Sequence, residues 1–255
     1  MNEQEWLAAL PEWAFAFSIV LTRSSLVVML MPGLGEIESP ALVRAGISLG
    51  FAILLTPVIG QLAAPDHPVN AAGMIAAEML VGGCLGWLSR LPVLALGIAG
   101  AIMSYMLGLS SVIQYDPALG GQSSALSRAM GLAGPVLLLN SGLFTLPIAA
   151  LAGSYSLFPP GALLPSGDVA DYFTTALVEC FALALQLSAP FVIAALLLQA
   201  GLALLARLVP QLQLYTAAMP GQILGGLTLL GALISTILVH WSDAVQTSWS
   251  RLPGL

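Results

Sequence analysis

Apolar residues fill this chain in long runs, separated by short clusters of proline, glycine and acidic residues. The runs fall at about 13–31, 41–63, 71–88, 91–114, 129–151, 172–206 and 214–241. Most are long enough to cross a hydrocarbon core of about 30 Å as a helix. Between them lie Pro32 to Pro40, Ala64 to Asn70, Ser89 to Pro92, Tyr115 to Arg128, Gly153 to Asp171 and Arg207 to Gln213. Proline ends helices because it lacks a donor and clashes with the preceding turn, and glycine because it holds its backbone loosely. The pattern predicts an all-α, polytopic membrane protein of kinked helical hairpins, with residues 1–255 forming a single membrane domain.

The run at 172–206 is too long for a simple span. As a straight helix it would extend roughly 50 Å at 1.5 Å per residue, against a core of about 30 Å. Pro190 sits midway and is expected to kink or break it. Arg207 and Pro210-Gln211 then end the run, and Pro220 interrupts the next. Hydrocarbon tolerates broken backbone only where protein or a watery cavity satisfies the freed polar groups. The long hairpin 172–241 therefore reads as an assembled or pore-lining element rather than a lone lipid-exposed pair.

Composition narrows the class. The chain is 58% hydrophobic and 7% charged, with a mean hydropathy of +0.97. A soluble domain carries roughly a quarter charged residues. Lysine is absent, and six arginines against twelve acidic residues give a net charge of −6, which argues against a nucleic-acid partner. No basic residue precedes Arg23, so the first helix lacks the start of a cleavable signal and is expected to be retained. Seven spans would place Arg44 and Arg90 on one side of the membrane and Arg128 and Arg207 on the other, against the positive-inside rule. Making 91–114 re-entrant restores the pattern, so about six spans plus one re-entrant segment are expected.

Two ionisable groups, Arg23 and Glu78, lie deep in apolar runs, where each costs about 2.5–3.5 kcal/mol at a helix centre. A structural pair or a contact to a partner subunit is the economical reading, and a proton or ion path is the alternative. Asn140, Gln186 and Gln199 suit hydrogen bonds between helices. Tyr115 to Arg128 reads as a surface loop or as a mobile segment guarding a cavity. Ser123 and Ser124 have no His or Lys nearby to make a nucleophile. Cys84 and Cys180 read as small packed hydrophobes, Met103 and Met106 as ordinary packing. His67 and His240 stand without a ligand set for a metal. No nucleotide loop or catalytic carboxylate pair is present. The expectation is a protein that is not an enzyme and needs no cofactor.

The order of these segments resembles a known family, the FliR-type (SctT-type) subunit of flagellar and virulence type III export gates. Ser39-Pro40-Ala41-Leu42-Val43-Arg44 resembles its Ile-Pro-x-x-Val-Arg, and Glu78 with Gly82, Gly83 and Gly86 its Glu-x-x-x-Gly. Gly108-Leu109-Ser110 followed by Tyr115-Asp116-Pro117 resembles Gly-Leu-Ser/Gly…Val-Asp-Pro. Ser154, Leu157, Pro159 and Gly161 resemble Ser-Phe…Leu-Pro-x-Gly. The strongest match is Ala206-Arg207-Leu208-Val209-Pro210-Gln211, close to Ala-Arg-x-Ala-Pro-Gln, with Pro220 following. Departures fall at Gly100-Ala101 for Gly-Gln, Asn140-Ser141-Gly142 for Asn-Gly-His, and Met219-Pro220-Gly221-Gln222 for Phe-Pro-x-Lys.

The resemblance implies a structural and gating subunit that assembles into a helical export gate with FliP- and FliQ-type subunits, alongside FlhB- and FlhA-type export proteins. Unfolded flagellar substrates would pass through it, at the flagellar basal body in the bacterial inner (cell) membrane. It further implies a pore plug at 108–122, with Gly108, Leu109, Ser110, Tyr115, Asp116, Pro117 and Gln122 as candidates. Pro190, Arg207, Pro210, Gln211 and Pro220 would shape the bent hairpin for assembly, with Arg23 and Glu78 as intramembrane charges. A virulence export gate and a self-sufficient secondary transporter remain the alternatives.

Overall fold

Helices account for almost all of the structure, a computed structural model that describes residues 3–36, 39–109, 113–116, 121–162, 166–208 and 214–255. In chain order they are α1 (Glu3–Leu30), α2 (Ala41–Ile59), α3 (Pro68–Met106), α4 (Ala125–Ser141), α5 (Thr145–Leu157), α6 (Ser166–Leu208) and α7 (Leu214–Trp249). Between α3 and α4 lies an antiparallel ribbon of β1 (Ile113–Asp116) and β2 (Gly121–Ser124). Five helices are long and apolar enough to cross a membrane, or up to six spans if the bent pair α4 and α5 counts as one. The chain divides into two compact units. One contains Met1–Leu91, Leu139–Ala176 and Thr247–Leu255, the other Pro92–Leu138 and Leu177–Gln246.

In the first unit, Ile19, Val20, Val27, Ala77, Val81, Leu85, Leu151 and Trp249 are buried. Hydroxyls along α1 return to their own helix: Ser18, Thr22 and Ser24 donate to Phe15 O, Ser18 O and Val20 O. Such bonds remove the need for another partner in an apolar setting. Gly82 lets the start of α3 close on α1, since a Cβ there would stand 2.6 Å from Arg23 O. Contacts between small residues of this kind let helix backbones approach without a hydrophobic driving force.

The second unit buries Val93, Leu96, Ala99, Met103, Leu138, Phe191 and Trp241. Trp241 Nε1 donates to Pro92 O at 3.0 Å and Ser127 Oγ to Gly97 O at 2.8 Å. Ser124 ends the ribbon and caps α4, its Oγ accepting from Ser127 N at 3.1 Å. A serine at this position satisfies one of the unpaired donors of the first turn.

Several sequence expectations need correction. The re-entrant segment does not fall at 91–114, because α3 runs unbroken from Pro68 through Pro92 to Met106. Side chains explain the continuity. Trp249 Nε1 donates to Ser89 O at 3.0 Å, and Arg90 is tied to Glu36 Oε2 at 3.2 Å and to Leu30 O at 3.4 Å. These contacts hold the turn of α3 that precedes Pro92, whose missing N–H frees the carbonyl of Leu88. The bend falls instead within 129–151, where α4 and α5 are bent by 76° about a turn at Gly142, φ +75°. Pro190 and Pro220 lie inside α6 and α7 and do not interrupt them. The loop read at Tyr115 to Arg128 is in part the ribbon and in part the first turn of α4.

Candidate functional site

Arg23 and Glu78 meet in the first unit, 55 residues apart in sequence and both buried completely. Arg23 comes from the second half of α1 and Glu78 from the third turn of α3. Gly82, one turn beyond Glu78, brings the α3 backbone against Arg23 itself. The Glu-x-x-x-Gly spacing thus has a physical meaning: the carboxylate grips the arginine and the glycine makes room for its backbone.

The pair is bidentate. Nε donates to Glu78 Oε2 at 2.6 Å and Nη2 to Glu78 Oε1 at 3.0 Å. Nη1 donates to Ser154 Oγ at 3.0 Å, and Nη2 also to Phe158 O at 2.9 Å. Glu78 Oε1 accepts a further bond from Gly161 N at 3.0 Å. The guanidinium carbon lies 4.0 Å from the centre of the Tyr155 ring. Planar, forked donors make arginine the side chain that a carboxylate, a hydroxyl and a carbonyl can share in this way. The arrangement closes on itself. It ties α1, α3, α5 and the turn at 158–161 together.

The second place of interest is the end of α3 in the second unit. Gln222, in the third turn of α7, donates from Nε2 to Met106 O at 2.8 Å. Leu107 is buried, and a Cβ on Gly226 would overlap its Cδ2 atom. Gly108 turns with φ +75°. In the ribbon, Tyr115 stands opposite Gln122 and Asp116 opposite Gly121. Gly108, Leu109, Tyr115, Asp116 and Gln122 therefore fall on a turn and a ribbon, while Ser110 and Pro117 lie outside the described residues.

Of the hairpin candidates, Pro190 is half-buried within α6 and Pro220 exposed within α7. Arg207 is exposed in the last turn of α6. Pro210 and Gln211 lie outside the described residues, in the interval between α6 and α7. The partners of the ion pair were not apparent from sequence, because Phe158 O and Gly161 N are backbone atoms. Their one signal was the Ser154…Pro159…Gly161 pattern. Gln222 was visible only as a departure from lysine.

These spans and the buried ion pair define a polytopic helical membrane protein. The profile of the bacterial export proteins, family 1, matches residues 14–248, and the chain belongs to that family. It is 30% identical over 231 residues to the flagellar biosynthetic protein FliR of Caulobacter vibrioides, covering 90% of this chain and 92% of that protein. It is 27% identical to FliR of Bacillus subtilis, covering 88% of each chain. It is also 27% identical to the Yop proteins translocation protein T of Yersinia pestis, covering 80% of each.

Proposed function

We propose that this chain is a structural and gating subunit of a type III protein export gate, needed for flagellum assembly. It would join FliP- and FliQ-type subunits, with FlhB- and FlhA-type proteins nearby, in the bacterial inner membrane at the flagellar basal body. Unfolded flagellar substrates would be its cargo, and both compact units would serve one FliR-type domain. The family membership supports the class.

The carrying observation is the bareness of α6 and α7. Only 33% of the apolar window of α6 and 11% of that of α7 is buried inside the chain, against 61% for α3. Lipid could cover the leucines, but α6 also exposes Gln186 and Gln199 midway along its apolar length. An amide in hydrocarbon is stabilised by a hydrogen bond to a neighbouring helix, which supports partner subunits on this face. The first strand of the ribbon, 113–116, and the start of the second, at 121–122, lie in the segment proposed as the plug. For Arg23 and Glu78, the closed set of bonds supports a fixed strut over a proton path.

A deletion of the gene, scored for swimming, filament export and effector secretion, tests the role. Loss of swimming and filament export with effector secretion intact supports the flagellar gate. Loss of effector secretion alone would move it to a virulence system. If the purified chain by itself reconstitutes solute flux, the gate reading fails and the transporter reading replaces it.

A further inference from the structure

Two contacts in the second unit fix the point at which the candidate plug leaves α3. Met106 is the last residue of α3, so its carbonyl has no helical donor of its own. Gln222 Nε2 supplies one at 2.8 Å. One turn along α7, Gly226 offers bare backbone to the next residue, Leu107, and any side chain there would collide with it. Gly108 then turns away with φ +75°, and a Cβ on it would lie 3.8 Å from Gln222 Nε2. Hydrogen bond, buried leucine and turn fall on three successive residues.

We propose that Gln222 and Gly226 form a latch that holds the root of the plug, Met106 to Gly108, against α7. The proposal rests on the reading of 108–122 as the plug. An uncharged amide suits a contact that must open, because a neutral hydrogen bond contributes modestly where a buried charge would bind strongly. The structure also gives the released residue somewhere to go. A cavity of about 540 Å³ lies beside the latch, lined by Met106, Leu107, Phe191, Leu198, Gln222 and Leu229 among others. Gln222 and Gly226 are thus positioning residues, acting through Met106 and Leu107.

Leak of potassium and of a small fluorescent dye through the assembled gate in vesicles tests the latch. The variants are Gln222→Leu, which loses the donor, Gln222→Lys, which keeps one, and a deletion of 116–122. Gln222→Leu is expected to raise leak about two- to tenfold, the range that one neutral hydrogen bond supports, while Gln222→Lys stays near the unaltered protein. Leak from the deletion with none from Gln222→Leu overturns the latch and leaves the plug standing. A tight deletion overturns the plug reading itself. Equal leak from the leucine and lysine variants overturns the hydrogen bond as the cause. Where Gln222→Leu does not assemble, Gly226→Ala decides: leak supports the latch, and a tight gate overturns it.

Discussion

Replacing Arg23 and Glu78 together should destabilise this protein by much less than the sum of the two single replacements. The single variant Glu78→Leu leaves a fully buried guanidinium whose Nε has lost Glu78 Oε2 and whose Nη2, among the described residues, keeps Phe158 O alone. An uncompensated buried charge of this kind costs about 3–5 kcal/mol. Gly161 N, which donates to Glu78 Oε1, loses its acceptor as well, at about 1–3 kcal/mol. Whole domains are stable by only about 5–15 kcal/mol, so the variant should melt early and accumulate poorly.

The double variant Arg23→Met with Glu78→Leu removes both charges. What remains is two backbone groups, Phe158 O and Gly161 N, without their side-chain partners, at about 1–3 kcal/mol each. Ser154 Oγ keeps its bond to Leu151 O at 2.7 Å. The loss in the double variant should therefore fall short of the summed single losses by at least about 2 kcal/mol, the coupling expected of directly bonded groups. Thermal melting of the four proteins, purified with their co-purifying partners, and abundance in membranes give the cycle. Additive losses would refute the reasoning, because they would mean the two charges do not depend on each other. A Glu78→Gln protein that assembles and melts normally yet cannot support export would instead favour a protonation role.

Other changes test other contacts. Gly82→Leu should reduce membrane abundance strongly, since even a Cβ there would stand 2.6 Å from Arg23 O; normal abundance would mean that α1 and α3 do not approach so closely. Trp249→Phe keeps the aromatic contact with Phe144, at 6.0 Å between ring centres, but leaves Ser89 O without its indole donor. A loss of about 1 kcal/mol in a melting series is expected, and no loss would remove the indole as the reason α3 continues past Pro92. Gln199→Leu should leave the chain's own melting unchanged and weaken its co-purification with partner subunits. Retained co-purification would count against that face as an interface.

What the sequence revealed and what it hid divide along a physical line. Arg207, Pro210 and Gln211 marked the interval between α6 and α7 because donor loss at proline acts locally. Arg23 and Glu78 stood out because charges are rare in apolar runs. By contrast, Pro92 looked like a helix end and was not, because the groups that sustain α3 there come from Glu36, Leu30 and Trp249. Such support comes through tertiary contact and leaves no mark beside the proline. The bend at Gly142 was missed for the opposite reason. The apolar run passes straight through Leu143 and Phe144, and periodicity alone does not register a single left-handed glycine. The ribbon was read as a loop because each strand is only four residues long, too short for alternation to show.

The two sites also differ in the strength of what holds them, and under the proposed gating role that difference favours the second site as the moving part. The ion pair in the first unit has a charge on each side and backbone partners for both, so opening it would expose costs of about 3–5 kcal/mol. The contact at Met106 O in the second unit is one neutral hydrogen bond, contributing about 0.5–1.5 kcal/mol, beside a leucine seated over glycine. A gate that opens for cargo must break something, and a bond of the second kind opens at thermal cost where one of the first kind does not. If opening instead required the ion pair to separate, loss of Gln222 would leave the closed gate tight and loss of the pair would leave it assembled but leaking. The opposite pattern is expected: a leaking but assembled gate from Gln222→Leu, and failed accumulation from Glu78→Leu.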